Sequence, residues 1–268
     1  MSDPPCCGFC EARAAWTHHP TRDSSGRADR TPAIAQLVVV DTTCEAARHL
    51  SSVYVGPEIE VVDARHFLSR EESPPPLVSV LGDARTAEGV RATLEVAERL
   101  GASAHVALVV TEEGLEVPSW TSAVTARGAE AVLRAALLPL ESLTVRGLIC
   151  ISSDDVSAVL PRGGRGFGVH VAAEGEGRPE AAASLALTAL ARRCPRWATL
   201  AGNVLMLIRG DETLSLHEIN RASSAFAAGC HDDTNLIFAA SLTADTRPRL
   251  ELTVTFTTDE PSWRAMKT

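Results

Sequence analysis

Aromatic residues are scarce, at 4% of a 268-residue chain. Ala, Val and Leu must therefore fill the core, an economy that suits Ala-rich helices packed on Val/Leu/Ile strands. Positive charge is also in deficit, with 25 Lys and Arg against 34 Asp and Glu, a formal net charge of −9 and a pI of about 5.4. Without a concentrated Lys/Arg stripe the chain offers a nucleic-acid backbone no electrostatic footprint. Long hydrophobic runs are missing. The longest, such as "VALVV" and "VLMLI", fall far below the roughly 20 apolar residues that cross a bilayer. The opening "MSDPPCCGFCEAR" has neither a basic n-region nor an apolar h-region, so a soluble, cytoplasmic protein without membrane insertion is expected. No nucleophile motif such as G-x-S-x-G occurs.

The seven cysteines make an odd count that does not fit a secreted disulfide framework. Cys44, Cys150, Cys194 and Cys230 stand alone in apolar or helical contexts, where cysteine behaves as a small hydrophobe. Cys6, Cys7 and Cys10, followed by His18 and His19, form the one cluster of metal-type ligands. A zinc site needs four convergent ligands on an ordered scaffold, and this cluster lies in a Pro-containing leader, so no metal site is expected.

What the chain does have is alternation. With 45% apolar residues it can bury a real core. Residues 1–33 are rich in Pro, Ser, Arg and Asp without periodicity, the composition of a disordered leader. Strand-like runs follow at 36–40, 58–62 and 77–81, with a helix-like stretch at 43–51. The cleanest helix of this half is "DARTAEGVRATLEVAERLG", where Val90, Leu94, Ala97 and Leu100 recur at helical spacing and Gly101 stands at the C-cap. "AHVALVV" then reads as a continuously apolar strand, and this β-α-β order predicts a parallel sheet covered on both faces.

A helix-like segment, "ARGAEAVLRAALLPLESL", leads to "GLICISSDDVSAVL". Beyond it "GFGVHVA" is strand-like, "RPEAAASLALTALARR" is helical with Pro179 in its first turn, and "NVLMLIRG" is a strand. "SLHEINRASSAFAAG" opens with a Ser215-x-x-Glu218 capping box and places Leu216, Ile219 and Phe226 on one face. "TNLIFAASL" is apolar throughout. "RLELTVTFT" alternates, with Leu250, Leu252, Val254 and Phe256 towards a core and Glu251, Thr253, Thr255 and Thr257 towards a solvated face.

Five stretches in order, "GLICISSDDVSAVLPRGG", "GEGRPEAAA", "LSLHEINRAS", "NLIFAASL" and "LELTVTF", resemble the FtsZ segments "GLINLDFADVKTVMSDGG", "GEGRAVEAA", "LSLYEVNEAA", "NIIFGAVI" and "VRVTVIATG". The resemblance to this branch of the tubulin/FtsZ family covers residues 143–257. It implies an α/β plus α+β fold: a disordered leader at 1–33, a reduced, Rossmann-like nucleotide-domain remnant at 34–122, a connecting helix at 123–142, an FtsZ C-terminal-type α+β sandwich at 143–258 and a tail at 259–268. In that family the loop beginning "GLI" enters the nucleotide site of the next subunit, and its Asn and two Asp residues orient the attacking water. The resemblance places Cys150, Ser152 and Asp155 at those three positions. One polar group of the three survives; serine holds no negative charge at neutral pH, and cysteine lacks the amide's paired donor and acceptor.

The glycine turns that cradle guanine nucleotide in the family, "GVGGGGNN" and "GGGTGTG", correspond to "VVVDTTCEAARHL" and "VLGDARTAEGVRA". Asp41 would stand near the phosphates as a like charge, and only Gly82 and Gly89 remain of the glycines. The expectation is a non-catalytic pseudo-GTPase of cell-division or cytoskeletal type with no cofactor, acting by contact with FtsZ-like filament subunits or with itself. Two alternatives stay open: an active, GTP-binding, polymerising GTPase, and a stand-alone binding module. Asp154 and Asp155 read more readily as helix-capping residues that complement the helix dipole than as catalytic ones. "RGGRG" reads as a turn in preference to an anion nest, and His170, His217 and His231 as surface or capping residues.

Overall fold

Short runs of Val, Leu and Ile bounded by Pro, Gly and Asp become the strands of a single large sheet. The computed structural model describes residues 35–40, 50, 58–71, 73–101, 104, 106–144, 147–200, 202–243 and 247–267. The leader cluster Cys6, Cys7 and Cys10 with His18 and His19, Cys44, Asp41, and all of the 43–51 stretch but Leu50 lie outside the described residues. The first half holds β1 (Ala35–Val39), β2 (Ile59–Asp63), α1 (Ala64–Ser69), β3 (Leu77–Leu81), α2 (Ala87–Leu100), β4 (Val106–Thr111), β5 (Ser122–Thr125) and α3 (Ala129–Thr144). The second holds α4 (Ser153–Val159), β6 (Arg165–Glu174), α5 (Arg178–Arg193), β7 (Asn203–Gly210), α6 (Leu216–Ala227), β8 (Asn235–Leu242), β9 (Arg249–Thr258) and α7 (Glu260–Lys267).

Among the described residues nine strands run in the order β2-β1-β3-β4-β5-β6-β9-β7-β8. Pairing is parallel from β2 through to β6. Strand β9 is antiparallel to both β6 and β7, and β8 is parallel to β7. Strands β1, β3 and β4 are buried along their whole length, as parallel strands between helical layers must be. Helices α1 and α2 cover one face through Phe67, Val96, Ala97 and Leu100. Helices α5 and α6 cover the corresponding face of the second half, where Ile219 and Phe226 pack against Val204, Met206 and Leu252. Helices α3 and α4 lie on the opposite face and join Leu37 and Leu108 of the first half to Leu205 and Leu207 of the second in one core.

The structure shifts several expectations. The buried stripe of α2 is Gly89, Thr93, Val96, Ala97 and Leu100, with Val90 and Leu94 only half-buried. Gly101 does close the helix, at φ 37°. Residues 123–125, expected at the start of the connecting helix, belong to β5. Leu216, the first residue of α6, is 65% exposed although Ile219 and Phe226 are fully buried. The polar face of β9 is not solvated: Glu251, Thr253, Thr255 and Thr257 are all buried. Period-two alternation tells the two faces apart but not whether a helix covers the polar one, and here the α3–α4 layer does. Thr257 Oγ1 donates to the Val159 carbonyl at 2.7 Å, and Thr253 Oγ1 lies 3.0 Å from His170 Nδ1.

Helix α3 also fixes the two ends of the molecule. Ala129 and Val132, in its first turns, line a recess with the residues that follow β3, whereas Glu141, in its last turn, meets Arg209 near the end of β7 at 3.1 Å. The helix is sixteen residues long, and at 1.5 Å per residue these points are separated along it by about 14–18 Å. The carboxyl ends of β3 and of β7 therefore lie at opposite ends of the helix.

Candidate functional site

Strand β1 is flanked by β2 on one side and β3 on the other, and in open α/β sheets ligands bind at such a switch point, outside the carboxyl ends of the strands. The described wall of this crevice is the turn from β3 into α2, Gly82 to Thr86. Its glycines are occupied by the chain itself. A Cβ on Gly82 would come within 2.7 Å of Thr93 Cγ2 and 2.9 Å of Thr111 Cγ2, and one on Gly89 would lie 2.7 Å from Asp83 Cγ. Glycine is thus required at both positions for internal packing. The Asp83 side chain, on a residue 3% exposed, lies over the first turn of α2. Its Oδ1 accepts the Arg85 N–H at 2.9 Å and stands 3.5 Å from Arg85 Nε. Thr86 caps the helix by accepting the Gly89 N–H at 2.9 Å.

A helix amino terminus favours an anion, and this one already holds a carboxylate. An incoming phosphate would meet like charge. Among the described residues, Leu81 to Arg85, Glu112, Ala129 and Val132 enclose a recess of about 30 Å³, room for about one water. Small-ligand pockets commonly run to about 300–1,000 Å³. The sequence reading found Gly82 and Gly89 here but missed Asp83, Thr86 and Arg85. The signal was present, since Thr86-Ala-Glu opening an apolar-periodic run marks a helix start.

At the other end of α3, the "GLICISS" loop folds back on β8. Ile149 forms an antiparallel bridge with Ala240, its N–H donating at 3.1 Å. Gly147 is needed for that approach, because a Cβ there would lie 2.2 Å from the Ala240 carbonyl oxygen. The structure brings Ser152 and Asp155 together and leaves Cys150 apart. Ser152 is the N-cap of α4: its Oγ accepts the Asp155 N–H at 3.2 Å, while Asp155 Oδ2 accepts the Ser152 N–H at 2.7 Å. The backbone N–H and hydroxyl of Ser152 hold the Asp155 carboxyl below its usual range. Asp155 is thus a capping carboxylate, as one of the two sequence readings had it, and the cap proper is a serine. Asp154 is exposed in the first turn. Cys150 is exposed and free, with Sγ 3.8 Å from the Gly147 carbonyl oxygen.

The remaining candidates divide. "RGGRG" is a turn, with Gly163 at φ 74° and the Gly164 N–H donating to Pro161 O at 2.9 Å. Its carbonyls converge on a cation: Arg165 Nη1 donates to Thr121 O at 3.0 Å and to Gly163 O at 3.0 Å. His217 is exposed, and His231 Nδ1 accepts the Asp233 N–H at 3.1 Å in a local cap. His170 departs from expectation. Its side chain is 9% exposed, beneath α3, and burial pushes its pKa down to about 4. Among the described residues no group of His, Cys, Asp and Glu could hold a metal ion, and no helix is long and apolar enough to cross a membrane.

No protein-family model matches this sequence, and comparison with curated proteins finds no match. Solved structures do match. An empty FtsZ dimer from M. jannaschii superposes with a TM-score of 0.67 at 14% identity, over 87% of this chain and 90% of that one. A W319Y mutant of FtsZ from the same organism gives 0.64 at 14% identity, over 85% and 92%. CetZ from Methanosaeta thermophila gives 0.54 at 13% identity, over 87% and 89%. The likeness thus extends well beyond residues 143–257, into the half whose sequence carries little of it. The fold of this chain is that of the tubulin/FtsZ family.

Proposed function

We propose that this chain is a cytoskeletal or cell-division protein of FtsZ type that neither binds nor hydrolyses guanine nucleotide and acts by protein–protein contact, with itself or with FtsZ-like filament subunits. The observation that carries the reading is the Asp83 carboxylate seated over Gly89 at the start of α2, where the fold would offer backbone N–H groups to a phosphate. Ser152 and Asp155, tied to each other in a capping box, supply no second acid for a water.

The contact surface follows from the two ends of α3. Among the described residues the exposed large apolar side chains are Trp120, Leu148, Leu185, Leu216 and Leu242. Leu148 precedes the Ile149–Ala240 bridge, Leu242 ends β8, and Leu216 opens the helix after β7. Three of the five thus gather at one end of the molecule, and exposed apolar clusters mark contact surfaces. A face at one end meeting a different face at the other is a head-to-tail contact, which generates filaments where the rotation does not close.

Two measurements test this. Isothermal titration with GDP and GTP is expected to show no binding, and a micromolar Kd would restore the active-GTPase alternative. Sedimentation of the chain alone and with polymerising FtsZ should reveal assembly or co-pelleting that Leu148→Asp with Leu242→Asp reduces. A monomer that never pellets with FtsZ would remove the interaction reading and leave the stand-alone binding module.

A further inference from the structure

A second and larger cleft lies beside the recess and shares only Glu112 with it. Glu112, Glu113, Arg127, Gly128, Phe167 and Arg193 line about 480 Å³, within the range of small-ligand pockets. Four elements converge there: the loops after β4 and β5, the start of β6 and the last turn of α5. Its polar lining is uneven. Glu112 is engaged, accepting the Gly128 N–H at 2.9 Å and standing 3.6 Å from Arg85 Nη1. Glu113 is exposed at the rim. Among the described residues, by contrast, neither arginine forms an ion pair with a carboxylate.

Arg193 is half-buried, with its guanidinium 5.4 Å from the Phe167 ring centroid and Nη2 donating to Thr125 Oγ1 at 2.6 Å. The ring and the hydroxyl fix the plane of the guanidinium but neutralise nothing. Burial, together with the charge of Arg127, lowers the Arg193 pKa, so the two cations of this cleft lie close enough to repel each other in a chain of net charge −9. Of the two carboxylates in the lining, Glu112 is engaged by the Gly128 N–H and Arg85 and Glu113 stands exposed at the rim, and among the described residues neither forms an ion pair with Arg127 or Arg193. The arrangement is that of a site completed by a ligand.

We propose that this cleft is an oxyanion site, in which Arg127 and Arg193 grip a phosphate or carboxylate group of a small molecule whose body lies along Phe167. Guanidinium forks match both oxyanions through paired N–H···O bonds. Phe167 packs against Trp263 at 4.8 Å between ring centroids, which places a fluorescent reporter next to the ligand.

The test is titration of the full chain with pyrophosphate and, separately, with succinate, followed by calorimetry and tryptophan fluorescence. At least one anion should bind with a submillimolar Kd, weakening as salt rises, and the preferred probe identifies phosphate or carboxylate as the source. Arg127→Gln and Arg193→Gln should each weaken binding at least tenfold. Arg193 also ties α5 to β5, so Arg127→Gln, at an exposed residue with no ion pair among the described residues, keeps the test valid if the other variant folds poorly. Binding of neither anion, or binding indifferent to Arg127→Gln, overturns the site. GDP binding that pyrophosphate competes and Arg127→Gln weakens would support the site while overturning the nucleotide-free reading, so the two can fail separately.

Discussion

Arg178, at the start of α5, and Glu218, in the first turn of α6, form a two-point ion pair, Nε to Oε1 at 2.8 Å and Nη2 to Oε2 at 3.2 Å. The same Glu218 carboxylate accepts the Ser215 N–H at 3.1 Å and closes the α6 capping box. Arg178 also donates from Nη1 to the buried Asp211 at 3.0 Å. The arginine of "GEGRPEAAA" and the glutamate of "LSLHEINRAS" thus join two helices and the β7–α6 turn. These motifs carry the FtsZ resemblance for a structural reason, and it needs no nucleotide.

Removing either partner should therefore cost more than a surface ion pair would. Arg178→Ala leaves Asp211 buried without its cation and is expected to destabilise the fold by about 3–5 kcal/mol. Glu218→Gln keeps the shape but loses the charge and should cost less. Urea denaturation of both variants is the check, and a midpoint for Arg178→Ala equal to wild type would show that the cluster is not cooperative.

Helix α6 is held by Ile219 and Phe226, both buried against β7 and β9. Ile219→Ala or Phe226→Ala is expected to destabilise by about 2–5 kcal/mol. Leu216→Ala, in the same helix at an exposed position, should change stability by less than about 0.5 kcal/mol. Equal effects at 216 and 219 would contradict the burial seen here.

The α4 loop should behave as a structural cap. Ser152→Ala is expected to cost about 0.5–2 kcal/mol, and Asp155→Ala should also destabilise. Because the two side chains share one capping box, the double variant should lose less than the sum. GTP hydrolysis by the chain alone, abolished in Asp155→Ala, is the result that would return the loop to catalysis.

Burial gives the fold a pH dependence through His170, whose pKa falls to about 4, with desolvation the largest cause and the neighbouring charges of Glu251, Arg134, Glu130 and Arg209 adding to or opposing it. Between about 6.5 and 4 the unfolded chain takes a proton that the folded chain refuses, so stability declines as pH falls through that window. Glu141, whose pKa burial raises, works in the opposite sense: its folded pKa lies above its unfolded one, and its contribution is lost as pH rises. Denaturation midpoints of wild type and His170→Gln at pH 7.5 and 5.0 separate them. A smaller loss at pH 5.0 in His170→Gln is expected; identical losses would show that His170 is not the titrating group.

Local sequence determined much of this protein. Apolar runs and their punctuation located the strands at 77–81 and 203–210, the helix at 178–193 and the Ser215–Glu218 box, because each depends on spacing within a few residues. The five ordered motifs pointed to the fold. The sequence did not disclose that β9 is covered on both faces, since Glu251, Thr253 and Thr255 alternate as a solvated strand would, and only the packing of the α3–α4 layer over that face buries them. His170 looked like a surface residue for the same reason. The candidate sites were the least legible part: Asp83 can fill the space over Gly89 only once β3 and α2 are packed. Likewise Arg127 and Arg193, 66 residues apart in the numbering, become one cleft only when α5 returns to the end of β5. Burial and long-range charge pairing depend on which elements meet, and that was decided by the tertiary structure.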